Sequence, residues 1–243
     1  ARDLGISAMA LAPLDEHRLV APVAELGRAG IPVVIFDSEL DGDDYVAEIG
    51  TDDLAAGRAA AVHLAALMPR GQVALLRLGQ TATSALRREQ GFLEEIARHP
   101  GLRVVSDSIF TGPLLETAYR RAHELLRETN ALGGGLDAVF CSNESTSLGA
   151  LKALEDLGLT GRVRLMGFDR TPRLVNAVST GEIAGLVLQN PVKIGYDSVA
   201  TLVDHLRGKP VVRRQWVEFV VADQASLSVP FVRSLLRPSR AEQ

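Results

Sequence analysis

The segment "RLMGFDRTP" (164–172) runs a strand-like apolar stretch straight into a carboxylate. Asp169 follows Leu165, Met166, Gly167 and Phe168, at the point where the chain leaves a core. "VVIFDSEL" (33–40) repeats the pattern and delivers Asp37, while "AVFCSNES" (138–145) delivers Asn143. A fourth apolar run, "IAGLVLQ" (183–189), ends on Gln189. Short polar groups at the ends of buried runs point to parallel strands. The carboxyl ends of such strands open onto the crevice where open α/β sheets bind ligands.

The surroundings of these runs support a parallel sheet. "ISAMALA" (6–12) reads as a strand, "EHRLVAPVAELGRAG" (16–30) as a helix closed by Gly30, and "PVVIF" (32–36) as a strand. "DLAAGRAAAVHLAALM" (53–68) is a helix whose small residues suit close packing on a sheet. Strand and helix then alternate through "QVALLRL" (72–78), "ALRREQGFLEEIARH" (85–99), "LRVVSDS" (102–108) and "LLETAYRRAHELLRE" (114–128). The alternation continues to the helix "VKIGYDSVATLVDHLRG" (192–208). Right-handed βα crossovers of this length place helices on both faces of a parallel sheet. The opening "ARDLG" (1–5) reads as the tail of a helix, and "GGG" (133–135) as a turn rather than a phosphate loop, since no helix follows it.

Composition sets outer limits. Of 243 residues, 47% are apolar and 23% charged, and the formal net charge of −4 provides no basic footprint for nucleic acid. "RREQ" (87–90) and "VVRRQ" (211–215) read most simply as solvated faces. No apolar run reaches the roughly 18–20 residues that span a bilayer. The lone Cys141 has no intrachain disulfide partner and reads as a small core residue, and the five histidines show no metal-ligand spacing. No metal and no cofactor are expected.

Each strand-end residue has a structural role open to it as well as a binding one. Asn143 suits a helix cap, a role Ser145 could also take. Asp169 is less needed as a cap, because Thr171 followed by Pro172 already supplies a cap and a first helical residue. Asp37 suits a turn in "DSELDGDD" (37–44), and Gln189 could tie down the chain before Asn190-Pro191. Together the four favour a cleft. Fixed carboxylates and amides suit an uncharged, hydroxyl-rich ligand, and there is no nucleophile–base pairing to suggest catalysis.

The ordered series "APLDEHRLVAPVAELGRAGIPVVIFDSEL" (12–40), "IGTDDLAAGRAAAVHLA" (49–65), "SALRREQGF" (84–92), "AVFCSNESTSLGALKALEDLG" (138–158) and "LMGFDRTPRLVNAVSTGEIAGLVLQNPVKIGYDSV" (165–199), with the closing "LLRP" (235–238), resembles one family. It is that of the ribose-type sugar-binding proteins of bacterial ABC importers, which have the type I periplasmic binding protein fold. The resemblance implies two doubly wound parallel-sheet lobes joined by a hinge, with a first lobe of 1–51 and 190–218 and a second of 52–189 and 219–243. Members usually begin with a further strand, helix and strand, so by this comparison the first lobe lacks its N-terminal strands and exposes a sheet edge.

By motif, Asp37, Arg88, Asn143, Asp169 and Gln189 correspond to the family's ligand contacts. Arg88 also reads, on its own, as a helix N-terminal surface cation. Ser38 stands where some relatives carry arginine, and Ala12 where some carry an amide. Phe110 is the nearest candidate for stacking on a sugar ring. The implied function is a non-enzymatic receptor that captures a monosaccharide or similar polyol. It would act as a monomer outside the cytoplasmic membrane and deliver the ligand to an ABC permease. The alternative is the effector domain of a lactose-repressor-type regulator, which shares the fold. "LTGRVRLMGFD" (159–169) lacks the proline such regulators usually show there.

Overall fold

The computed structural model describes residues 5–236, so the helix-tail reading of the opening segment falls largely outside the described residues. The chain divides into two compact units. The first comprises Ala1–Asp52, Gln80–Ser84 and Asn190–Glu218, and the second Asp53–Gly79, Ala85–Gln189 and Phe219–Gln243.

The first unit holds a four-stranded, all-parallel sheet in the order β1-β2-β3-β9. Its strands are β1 (Met9–Leu11), β2 (Val33–Phe36), β3 (Ala47–Thr51) and β9 (Arg214–Val217). Successive side chains of a strand point to opposite faces, and here both faces are covered. Val33 and Ile35 of β2 pack with Val23 of helix α1 (Val20–Arg28). Val34 and Ile49 pack with Ile194 and Leu202 of α7 (Pro191–Leu206) on the other side.

Helix α1 starts four residues later than the sequence suggests. Asp15 accepts the backbone N–H groups of His17 and Arg18, both at 3.0 Å, which folds residues 16–19 into a turn instead. The basic pair in "VVRRQ" is also more than a solvated face. Arg214 donates to the buried carboxylate of Glu48 at 2.8 Å, and Arg213 reaches Asp43 at 2.7 Å, so the pair ties β9 to β3 and its preceding loop.

The second unit holds a six-stranded sheet in the order β10-β8-β7-β6-β4-β5, parallel except where β10 (Val220–Ala222) runs against β8 (Gly185–Leu188). Its other strands are β4 (Gly71–Arg77), β5 (Leu102–Phe110), β6 (Ala138–Cys141) and β7 (Arg164–Phe168). Around them lie α2 (Asp53–Leu67), α3 (Thr83–Ile96), α4 (Leu115–Glu128), α5 (Glu144–Asp156), α6 (Pro172–Ser179) and α8 (Pro230–Leu236). Strand order reverses between β4 and β6, which makes the carboxyl ends of these two strands the topological switch point.

Val73, Leu75, Phe140, Met166 and Phe168 fill one face of this sheet, with Phe140 stacked on Phe92. Leu76, Val139, Cys141 and Leu165 fill the other. Cys141 is wholly buried, and burial pushes its thiol well above the ordinary range, so almost no thiolate forms near neutral pH. An aromatic disulfide reagent is therefore expected to label Cys141 only as fast as the second unit opens, and at once in denaturant. Rapid labelling of the native chain would contradict this packing.

Candidate functional site

β7 and β2 end in the same way. Asp169 and Asp37 each donate their backbone N–H to the neighbouring strand, to Val187 at 2.9 Å and to Ile49 at 3.0 Å, closing the last rung of the ladder. Each then adopts a left-handed backbone, with φ of 68° and 67°. That conformation costs an ordinary L-residue roughly 1–2 kcal/mol and is tolerated best by glycine, asparagine and aspartate. The motif that opened the sequence reading is thus a physical device. It stops a strand and turns a carboxylate away from the ladder.

Asp169 is the centre of a polar cluster in the second unit. Its Oδ1 accepts from the Gln189 side-chain amide at 2.6 Å, and its Oδ2 accepts from the backbone N–H of Glu144 at 3.1 Å. An ionised carboxylate offers about four acceptor directions, so these two bonds orient the group without exhausting it. Gln189 is the last residue of the second unit before the chain crosses to the first.

Asn143 caps α5. Its side-chain oxygen accepts from Thr146 N at 3.2 Å, and the Thr146 hydroxyl returns to Asn143, completing a capping box. The Asn143 amide donates to Ser145 Oγ at 3.0 Å. The cap that the sequence left open is thus made. Ser147 then fastens α5 to β7, donating to the Asn143 carbonyl at 2.7 Å and accepting from Phe168 N at 3.0 Å. Gly167 makes this approach possible, since a Cβ there would lie 3.0 Å from Ser147 Oγ. Asn143→Ala is expected to cost about 1 kcal/mol of stability through loss of the cap, measurable as a lower denaturation midpoint.

Arg88 overturns its reading as a helix-surface cation. Its side chain is 4% exposed. Nε donates to Asp53 Oδ1 at 2.6 Å, Nη1 donates to the Ser142 carbonyl at 3.1 Å, and the guanidinium lies over the Phe168 ring at 3.9 Å. Nη1 is 4.0 Å from the Asp169 carboxylate. The adjacent Glu89 is also wholly buried, accepting from Arg77 at 2.6 Å and from Ser142 Oγ at 2.8 Å, so "RREQ" is half interior rather than a solvated face. Burial pushes the Glu89 carboxyl up, against the pull of these donors.

A close contact between helices fixes the position of Arg88. A Cβ on Gly57 of α2 would fall 1.9 Å from the Arg88 carbonyl oxygen, and one on Gly91 of α3 would fall 2.1 Å from that of Leu54. The two backbones touch through reciprocal glycines.

Four of the five strand-end and motif residues therefore meet in one unit: Arg88, Asn143, Asp169 and Gln189. Asp37 lies in the other unit, exposed at the end of β2. Phe110, the stacking candidate, carries the Arg77 guanidinium 4.9 Å from its ring centroid. Sequence reasoning missed Asp53, which reads as an ordinary acidic residue at a helix start, and Glu144. The Glu144 carboxyl is held up first by partial burial and then by the charge of Asp169. The only signal for Asp53 was its place beside a chain crossing.

A model of the periplasmic binding protein domain matches residues 3–210. The chain belongs to the periplasmic binding protein family. It is 26% identical over 225 residues to the D-allose-binding periplasmic protein of Escherichia coli, covering 88% of this chain and 71% of that protein. An ABC transporter solute-binding protein from Agrobacterium vitis, solved with bound D-fucose, superposes with a TM-score of 0.90 at 28% identity, covering 97% of this chain and 81% of that one. The periplasmic component of an ABC-type sugar transport system from Hahella chejuensis is 35% identical, with a TM-score of 0.84 and coverage of 89% and 78%. The doubly wound α/β fold is that of this family of solute-binding proteins.

Proposed function

We propose that this periplasmic binding protein captures a monosaccharide or similar polyol and presents it to an ABC permease. The observation that carries the reading is the cluster at the carboxyl ends of β6, β7 and β8. There Asp169 is oriented by two protein donors while its carboxylate keeps further acceptor directions, with the Arg88 guanidinium 4.0 Å away. Such a carboxylate can accept from the hydroxyls of a sugar. Asp37, at the matching strand end of the first unit, is in this proposal a further sugar-binding carboxylate.

The protein acts without turnover, as a monomer, outside the cytoplasmic membrane where its named relatives work. Solved relatives with bound sugars favour this reading over the effector domain of a regulator. Titration calorimetry with a panel of pentoses, hexoses and polyols tests it. Micromolar binding of at least one, about −8 kcal/mol, is expected, and silence across the panel rejects the reading.

A further inference from the structure

We propose that Asp53 sets the charge class of the ligand: by balancing Arg88 inside the protein, it turns the site against anionic sugars and toward neutral ones. The inference rests on the sugar-binding reading above and names the substrate class of that site.

An arginine in a binding cluster ordinarily recruits a carboxylate or phosphate through paired, charge-assisted bonds. Here the Nε edge is already taken by Asp53 at 2.6 Å, in an ion pair whose side chains are 4% and 8% exposed. Asp169, at 4.0 Å, is a second carboxylate on the same guanidinium. Glu144 donates its backbone N–H to Asp169, and its own carboxyl feels the charges of Asp169 and Arg170. After partial burial, it is the Asp169 charge that pushes the Glu144 carboxyl up, so a further negative charge beside Asp169 is disfavoured.

A uronate or sugar phosphate arriving here loses its hydration and meets carboxylates before it meets an unbalanced cation. A hydroxyl suffers neither cost. It donates to Asp169 without a change in net charge. Asp53 is a specificity-determining residue in this scheme, acting through Arg88 rather than by touching the ligand.

Asp53→Asn tests the idea, because an amide oxygen still accepts from Arg88 Nε while the charge is gone. The full chain and the variant are titrated with D-ribose, D-glucose and D-galactose, and with D-ribonate, D-glucuronate and D-galacturonate. The unaltered protein is expected to bind at least one neutral sugar and its acid at least about a hundredfold more weakly. In D53N the acid-to-neutral affinity ratio is expected to rise at least about tenfold, the worth of one charge-assisted bond, and the gain is expected to shrink in high salt. Should circular dichroism show D53N unfolded, E144Q at an exposed position is expected to move the ratio the same way by about threefold. An unchanged ratio in the folded variants, or equal binding of acid and neutral sugar by the unaltered protein, overturns the proposal. Silence toward every neutral sugar would instead reject the sugar-binding reading, and this inference with it.

Discussion

Asp169→Asn is expected to weaken binding of the cognate sugar by at least about a hundredfold while leaving the fold nearly intact. Asparagine tolerates the left-handed backbone at this position, where φ is 68°, and an amide oxygen can still accept from one of the two present donors. What it loses is the ionised acceptor. Bonds to a charged group contribute about 1.5–3 kcal/mol each, and loss of two charge-assisted sugar hydroxyl contacts amounts to about 3 kcal/mol or more. Gln189 and Glu144 N orient the carboxylate at 2.6 and 3.1 Å, so the ligand meets a group whose ordering cost is already met by the fold. Calorimetry measures the loss, and a thermal melt beside it separates binding from stability. Full affinity in D169N would remove Asp169 from the site.

Gly57→Ala is expected to destabilise the second unit by about 3 kcal/mol, the upper part of the range for overpacking. Intrinsic helix propensity predicts the opposite sign, a gain of about 0.5–1 kcal/mol for alanine over glycine within a helix. The geometry decides between them. The new methyl would sit 1.9 Å from a backbone oxygen, which cannot swing aside as a side chain does. Helix α3 would have to move, carrying Arg88 with it and loosening the 2.6 Å bond to Asp53. At about 2–4 °C per kcal/mol for a unit of this size, the melting temperature should fall by about 6–12 °C. Sugar affinity should fall as well, since a displacement of this order at a positioned contact is costly. A melting temperature unchanged or raised would show that the two helices are not in backbone contact at Gly57.

Arg88 shows where sequence reading stops. Its place before "EQGF" marks it by resemblance as a ligand contact, yet its periodicity and charge fit a solvated helix start equally well. Burial was decided by Asp53, Ser142 and Phe168, which lie 35, 54 and 80 positions away along the chain. Asn143 is the reverse case. Its cap is local, formed with Thr146 three residues on, and so could be weighed from the sequence. Thr171 and Pro172 likewise start α6 as read, with the Thr171 hydroxyl accepting from Leu174 N at 3.2 Å. Asp53 carried no local mark of its buried pairing with Arg88, because acids at helix starts are common for reasons of the helix dipole alone.

The amino-acid order by itself determined the alternation of strand and helix, the capped helix starts, and the carboxylates that turn the chain away at the ends of β2 and β7. The caps depend on residues within one turn of each other, and the alternation on apolar periodicity along each segment. The three-dimensional arrangement alone decided which surface each element covers. In α7, Ile194 and Leu202 face the sheet, while Val192, Tyr196, Val199, Val203 and Leu206 form an equally apolar stripe that stays exposed. Helical spacing records that both stripes are apolar. Only packing against β2 and β3 distinguishes them, because burial is a property of neighbours brought together from distant parts of the chain.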